Sequence, residues 1–285
     1  MVEIAICLAV IGIALISIIG VLPIGMHTQR DNREETIINL DATLFIEAIR
    51  GGTRGLDDLT NYVYAISNYW GQYNANGSFT SLTPYGFTNS APSFLTNGMN
   101  IVGLLSMPEY TDNSGLPIPT LIYGGYSNHV VAYVHSMSGP AIEKPPQDND
   151  IVRGDSFSYR IFCVNAPVVM DTNIFLLAPL WNAGTYAAGL QVLYGWYYWQ
   201  AVADCGSLDV PGQTTKWSMV RNYNLELVKA LHELRLTFLW PQQPNGKLGP
   251  GRQTFRTMVA GQIVTNIVPG QILYFYRSQS FVNTP

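Results

Sequence analysis

The stretch VEIAICLAVIGIALISIIGVLPIG (residues 2–25) decides how the chain begins its fold. A single carboxylate, Glu3, stands near its start, and the 23 residues from Ile4 to Met26 carry no charge. Charged residues then arrive together between His27 and Glu35. At about 1.5 Å per residue the uncharged run makes roughly 34 Å of helix, enough to cross the hydrocarbon core of a bilayer. The sequence therefore predicts a membrane-length apolar helix that begins with an acid.

Three interpretations of this helix compete. A cleaved signal peptide needs a basic start and a shorter apolar core, and neither is present. A plain membrane anchor usually carries Lys or Arg on its cytoplasmic flank, but no basic residue precedes the run. The third interpretation is that a basic leader has been removed, which leaves Glu3 near a helix N-terminus, where the helix dipole favours an acid. Alone in lipid the acid would cost about 2.5–3.5 kcal/mol, and the terminal amine of a neighbouring copy would remove that cost.

The same segment resembles the N-terminal helix of type IV pilins and of the related pseudopilins of type II secretion. In that family a prepilin peptidase removes the leader and methylates the new N-terminus, and an apolar helix then assembles into a filament. Glu3 matches the family glutamate, and Pro23 matches the proline that kinks the helix. The resemblance covers about the first 50 residues. It implies that the partners are other copies of the chain, with the inner membrane, an assembly platform and the peptidase during biogenesis.

The helical pattern continues beyond Pro23 to about residue 50, so we expect residues 1–50 to form one long helix with two different halves. The first half is apolar on all sides and must lie in lipid or among the same helices of other subunits. The second half is amphipathic, with Ile38, Ala42, Phe45 and Ile49 on one face and Ile37, Leu40, Leu44 and Ala48 widening it. Arg30 and Glu34 are spaced to pair at i, i+4. Close packing of apolar helices depends on small residues, which here are Ala5, Ala9, Gly12 and Ala14.

The remaining residues, 51–285, predict a β-rich head domain. A second helix is expected over 56–70, where apolar residues recur at helical spacing. Alternating apolar residues predict strands in SFSYRIFCV (156–164) and LHELRLTFLWP (231–241). Further strands are expected at 120–125, 129–136, 173–178, 190–199, 254–260 and 271–277, and a polar connection at 145–155. The predicted fold class is α+β, with an antiparallel sheet packed on the amphipathic half of the long helix.

Composition and motifs exclude several classes of function. Only 12% of residues are charged, the net charge is −4, and no Lys/Arg cluster offers a nucleic-acid footprint. None of the common nucleophile, zinc-protease, P-loop or dinucleotide motifs occurs, so we expect no enzyme and no cofactor. Asp148, Asp150 and Asp155 share a polar loop that would suit calcium, although solvated loop acids are the simpler interpretation.

Two further groups of residues are candidates for structure or binding. Cys163 and Cys205 would form a disulfide if the head lies in an oxidising compartment, and two separate core thiols are the alternative. The densest aromatic stretch suits an interface or a sugar-binding platform, while a strand buried on both faces explains it as well. Its members are Tyr194, Trp196, Tyr197, Tyr198 and Trp199.

These observations predict a structural protein rather than an enzyme. The first hypothesis is a subunit of an extracellular type IV pilus-like filament, held in the inner membrane before assembly. The second is a type II secretion pseudopilin, which the large head domain favours. The third is a solitary membrane-anchored module that binds a glycan through its aromatic stretch.

Overall fold

The computed structural model combines one long helix with a β-rich head, which confirms the predicted α+β class. It describes residues 2–51, 56–88, 94–121, 124–137, 157–168, 178–195, 197–220, 223–268 and 271–277. The helices are α1 (Val2–Gly51), α2 (Leu56–Tyr62), α3 (Gly98–Leu105) and α4 (Tyr223–Ala230), with a 3-10 turn at Phe94–Thr96. The strands are β1 (Val63–Tyr73), β2 (Phe79–Thr88), β3 (Tyr110–Thr111), β4 (Gly125–His135), β5 (Ser158–Pro167), β6 (Gln191–Tyr194), β7 (Tyr197–Ala201), β8 (Trp217–Val220), β9 (Leu231–Gln242), β10 (Leu248–Ala260), β11 (Gln262–Val268) and β12 (Gln271–Arg277).

The long helix forms as predicted and runs without interruption through Pro23. The stripe of Ile38, Ala42, Phe45 and Ile49 is fully buried against the head. Ile37 and Ala48 are buried beside it. The prediction was wrong for Leu40 and Leu44, which are about half exposed. At 3.6 residues per turn these two leucines fall on the far side of the helix from the buried stripe.

The head is built on an antiparallel sheet in the order β10-β9-β5-β4-β1-β2, with β3 paired to β4. Alternate side chains of each strand point to one face, and that face is the core. In β9 these residues are Leu234, Leu236, Phe238 and Trp240. In β5 they are Tyr159, Ile161 and Cys163, so both strand predictions that rested on alternation are confirmed.

The core on this face is completed by the second half of α1, helices α2 and α3, the 3-10 turn and the β11–β12 hairpin. Phe45 of α1 meets Phe238 of β9 edge-on, with ring centroids 6.3 Å apart. Helix α3 approaches β12 closely because Gly103 has no side chain, and a Cβ there would lie 2.8 Å from the Leu273 Cβ. The sheet and the amphipathic half of α1 therefore form one continuous hydrophobic core.

The predicted helix over 56–70 was wrong beyond Tyr62, because residues 63–73 form β1. Val63 and Ile66 are both buried although they are three residues apart. The pairing of β1 with β4 shifts register between Val63 and Ala65, and this irregularity puts the two apolar side chains on the same side. A strand with such a shift imitates helical spacing, and pairing on both sides with β2 and β4 overrides the local pattern.

Most of the other predicted strands are present. The predictions at 129–136, 190–199, 254–260 and 271–277 fall on β4, on the β6–β7 hairpin, on β10 and on β12. In the segment 120–125 only Gly125 belongs to a strand, and residues 122–123 lie outside the described residues. The predictions at 145–155, including Asp148, Asp150 and Asp155, lie outside them as well, as does all of 173–178 except Ala178.

A second, smaller sheet has the order β6-β7-β8 and its own apolar cluster. Cys205 is buried in that cluster, whereas Cys163 is buried in the main core. Both thiols are free, so the disulfide considered for them does not form. The Cys163 thiol instead donates to the Leu105 carbonyl oxygen at 2.7 Å, and burial raises its pKa to about 12.

Candidate assembly and membrane segment

The first half of α1 is the most unusual surface of the molecule. The described large apolar side chains between residues 2 and 26 are each more than half exposed, and an 18-residue apolar window of α1 has no residue buried within the subunit. Burying such a side chain is worth about 1.5–3 kcal/mol, so leaving even ten of them in water costs about 15 kcal/mol or more. That exceeds the net stability of many domains. This half of α1 is therefore long and apolar enough to cross a membrane, and it needs an apolar environment outside its own subunit.

The polar atoms within this half are few. The Ser17 hydroxyl donates to the Ile13 carbonyl oxygen at 2.9 Å, so its hydrogen-bonding group is satisfied within the helix. Glu3 lies exposed in the first turn, and the ion pairs of the described residues do not include it. Within the described part of the chain, this carboxylate therefore has no ion-pair partner.

The small residues of the segment do not all share one face. By the helical period, Ala5, Ala9 and Gly12 lie together at i, i+4 and i+7, whereas Ala14 falls on the side of Glu3. The side chain of Ala5 lies outside the described residues. A Cβ built on Gly12 finds no atom of the subunit within 4 Å apart from its chain neighbours and the adjoining turns of its own helix backbone. Nothing in the monomer therefore requires glycine at this position.

A short polar segment of α1, residues 27–35, separates the exposed half of the helix from the half that packs against the head. Arg30 Nε lies 2.8 Å from Glu34 Oε1, which confirms the predicted i, i+4 pair. Glu34 is buried while Arg30 stays largely exposed. The contact between α1 and the head therefore begins at the end of this polar segment.

A buried acid, Asp41, ties α1 to the head. Its Oδ2 atom accepts hydrogen bonds from the Met137 backbone N–H and from the Tyr159 hydroxyl, each at 2.9 Å. Burial, followed by the nearby Asp41 charge, raises the pKa of Tyr159 well above its ordinary value, so the hydroxyl keeps the proton that it donates. Sequence reasoning missed this contact. The sequence shows only an acid next to the apolar stripe, and an acid in that position is normally expected to face solvent.

The predicted aromatic stretch lies on the β6–β7 hairpin, not on the assembly helix. Tyr194, Tyr197 and Trp199 share one face of the hairpin, and Tyr198 lies on the other. Trp199 packs against the small apolar cluster, and Tyr194 meets the Trp181 ring edge-on. Trp196 lies outside the described residues. The stretch is thus divided between two faces and does not form one continuous platform.

Comparison with known proteins gives no relative for this chain. No protein-family model, curated protein or solved structure matches it. In the described part of the chain no three His, Cys, Asp or Glu side chains come together as a metal site. The long apolar helix resembles pilin-like helices, and it is long and apolar enough to cross a membrane.

Proposed function

We propose that this chain is a structural subunit of an extracellular type IV pilus-like filament, held in a membrane before assembly. The observation that supports this proposal is the exposed apolar half of α1. This half extends away from the head as part of one continuous helix, whose total length is about 75 Å. In the filament these halves would bundle at the axis, and the heads would form the outer shell.

The energetics favour a segment that moves between two apolar environments. Transfer from lipid into a bundle of apolar helices is nearly neutral in hydrophobic terms, because acyl chains are as apolar as leucine. Specific packing and one electrostatic contact must then set the register. Gly12 would allow close approach of two helices, and Glu3 would meet the terminal amine of an adjacent subunit.

Two substitutions test this proposal in the producing cells. Gly12→Leu adds a side chain where the subunit offers open space, and it removes the helix penalty of about 1 kcal/mol carried by glycine. Membrane levels of the subunit should therefore stay unchanged while filament yield falls sharply. Glu3→Ala should behave in the same way, because it removes the partner of the neighbouring amine.

Ile13→Leu is the matched control, since Ile13 is exposed in the same half-helix and the change conserves volume. Its filament yield should equal that of the wild type. Normal yields for both Gly12→Leu and Glu3→Ala would exclude the proposed assembly role.

A pseudopilin is the second candidate, favoured by the size of the head domain, residues 51–285. It predicts that assembled material remains in the periplasm and is not released by shearing. Protein that stays as single copies in the membrane, with no assembled material, would instead favour a solitary anchored module.

A further inference from the structure

A groove of about 430 Å³ opens on the head, far along the chain from the assembly helix. Its floor is formed by β1, β2 and β4, and its walls are the turn after β3 and the end of the β11–β12 hairpin. The volume lies within the range of small-molecule sites. Nothing in the assembly role of α1 uses this groove.

The groove exists because the core face of the sheet opens to solvent at one end. Along β1 this face carries Ile66, Asn68, Trp70 and Gln72, whose burial falls from complete at Ile66 to exposed at Gln72. Neighbouring strands add matching side chains, since Tyr85 of β2 pairs with Asn68 and Asn128 of β4 pairs with Trp70. Apolar core residues are thus replaced by amides and aromatic rings at the end of one continuous surface.

Three aromatic rings are held in fixed positions in the groove. Trp70 stacks on Tyr126 with ring centroids 4.1 Å apart and planes 19° from parallel. Tyr85, more than a third exposed, meets Trp70 edge-on at 6.0 Å. Rings that already support one another lose little rotamer freedom when a ligand binds, which favours affinity.

The amides of the floor are also fixed before any ligand is present. Asn68 Nδ2 donates to Asn128 Oδ1 at 3.1 Å, and Asn128 Nδ2 donates to the Pro108 carbonyl oxygen at 3.0 Å. Both side chains are about 95% buried. Asn68 Oδ1 accepts no hydrogen bond among the described residues. The bonded pair of amides thus gives the floor of the groove a fixed polar character.

Asp112 in the wall supplies the only charge among the described lining residues. Its Oδ1 atom accepts three bonds within its own turn, from the Ser114 N–H, the Ser114 hydroxyl and the Leu116 N–H, at 2.7–2.9 Å. No described residue donates to its Oδ2 atom. One oxygen of the carboxylate therefore holds the turn, and the other is available to a ligand hydroxyl.

These features together select one chemical class of ligand, and we propose that the groove binds a neutral carbohydrate. The described lining contains no Lys, Arg or His, which excludes a site built for phosphate or another anion, and one carboxylate is too few for a cation site. Sugars combine apolar C–H faces, which suit aromatic rings, with hydroxyl groups, which suit amide and carboxylate oxygens. Glycoside hydrolysis commonly needs two carboxyl groups, so a single acid makes this a binding site rather than a hydrolytic one.

The test uses the full chain in a detergent without a sugar headgroup, since a glycosidic detergent would occupy the groove. An array of neutral and charged oligosaccharides is followed by calorimetric titration of each sugar that binds. A neutral sugar should bind saturably. Asp112→Asn keeps the Oδ1 acceptor that holds the turn but loses the anionic oxygen, so affinity should fall about tenfold or more. Tyr85→Ala should weaken binding about fivefold or more.

Tyr194→Ala is the matched control, because Tyr194 is comparably exposed but lies on the separate β6–β7 hairpin. It should bind the sugar as the wild type does. The proposal is overturned if no neutral sugar binds at up to about 10 mM. It is equally overturned if binding survives both groove substitutions, is lost in Tyr194→Ala, or is restricted to charged sugars. Because this test needs no filament, its outcome is separate from that of the assembly proposal.

Discussion

Replacement of Asp41 by leucine should separate the long helix from its head. Asp41 is fully buried, and its Oδ2 atom accepts from both the Met137 N–H and the Tyr159 hydroxyl. Leucine is close in size but accepts no hydrogen bond. Two buried donors then lose their partner, and each unsatisfied donor costs about 1–3 kcal/mol.

The expected loss of unfolding free energy is therefore about 2–6 kcal/mol. For a chain of this size, each kcal/mol lowers Tm by about 2–4 °C, so Asp41→Leu should lower Tm by about 5–20 °C. The assay is thermal unfolding of the full chain in detergent micelles, followed by circular dichroism in the near ultraviolet. That signal reports the packing of the aromatic core, which includes Tyr159 and Phe45.

Two further variants make the result decisive. Glu47→Leu likewise replaces a carboxylate by leucine, but at an exposed position of the same helix, and it should shift Tm by little. Adding Tyr159→Phe to Asp41→Leu removes one of the unpaired donors, so the double variant should be less destabilised than the sum of the two single changes. Equal stability of Asp41→Leu and Glu47→Leu, or simple additivity, would refute the docking role of Asp41.

Two other predictions concern buried titratable groups in the head. Burial lowers the pKa of His232 to about 4, so the folded head keeps this ring neutral while the unfolded chain binds a proton below about pH 6.5. The free energy of unfolding should thus fall by up to about 3 kcal/mol as pH drops from about 6.5 to about 4, and urea midpoints of His232→Phe should lack that part of the decline; an identical decline in both proteins would contradict this. Cys163 and Cys205 should both react with a thiol reagent after denaturation without reductant, and in the native protein Cys163 should stay unlabelled because its pKa of about 12 keeps it protonated. Mass spectrometry of the labelled peptides measures this, and a pair that reacts only after reduction would restore the disulfide.

The sequence predicted secondary structure correctly wherever apolar residues keep one regular spacing over many residues. The uncharged run from Ile4 to Met26 and the stripe from Ile38 to Ile49 together predict α1, and strict alternation predicts β5 and β9. Such patterns are redundant, so one deviating residue does not change the result.

Prediction from the sequence failed where a few residues, or contacts between residues far apart in the chain, determine the local structure. The register shift near Val63 makes a strand look helical, because pairing with β2 and β4 is invisible in a local window. The bonds of Asp41 reach residues 96 and 118 positions away, so an acid near an apolar stripe looks like part of the solvent-facing side.

The groove was hidden from the sequence for the same reason. Trp70 and Tyr126 stack directly although 56 residues separate them, and the hairpin that forms one wall comes much later in the chain. The densest aromatic stretch of the sequence, around Tyr194, lies on a different sheet. The usable signal was an Asn and a Trp at alternate positions of β1 on its core side, where apolar residues are expected.

The measurement that tests the assembly proposal most directly is electron microscopy of material sheared from producing cells, with the subunit identified by mass. The micrographs should show filaments built from this chain, with the apolar halves of α1 parallel at the axis and the heads outside. Protein found only in the membrane fraction, with no filament that contains it, would contradict the assembly proposal.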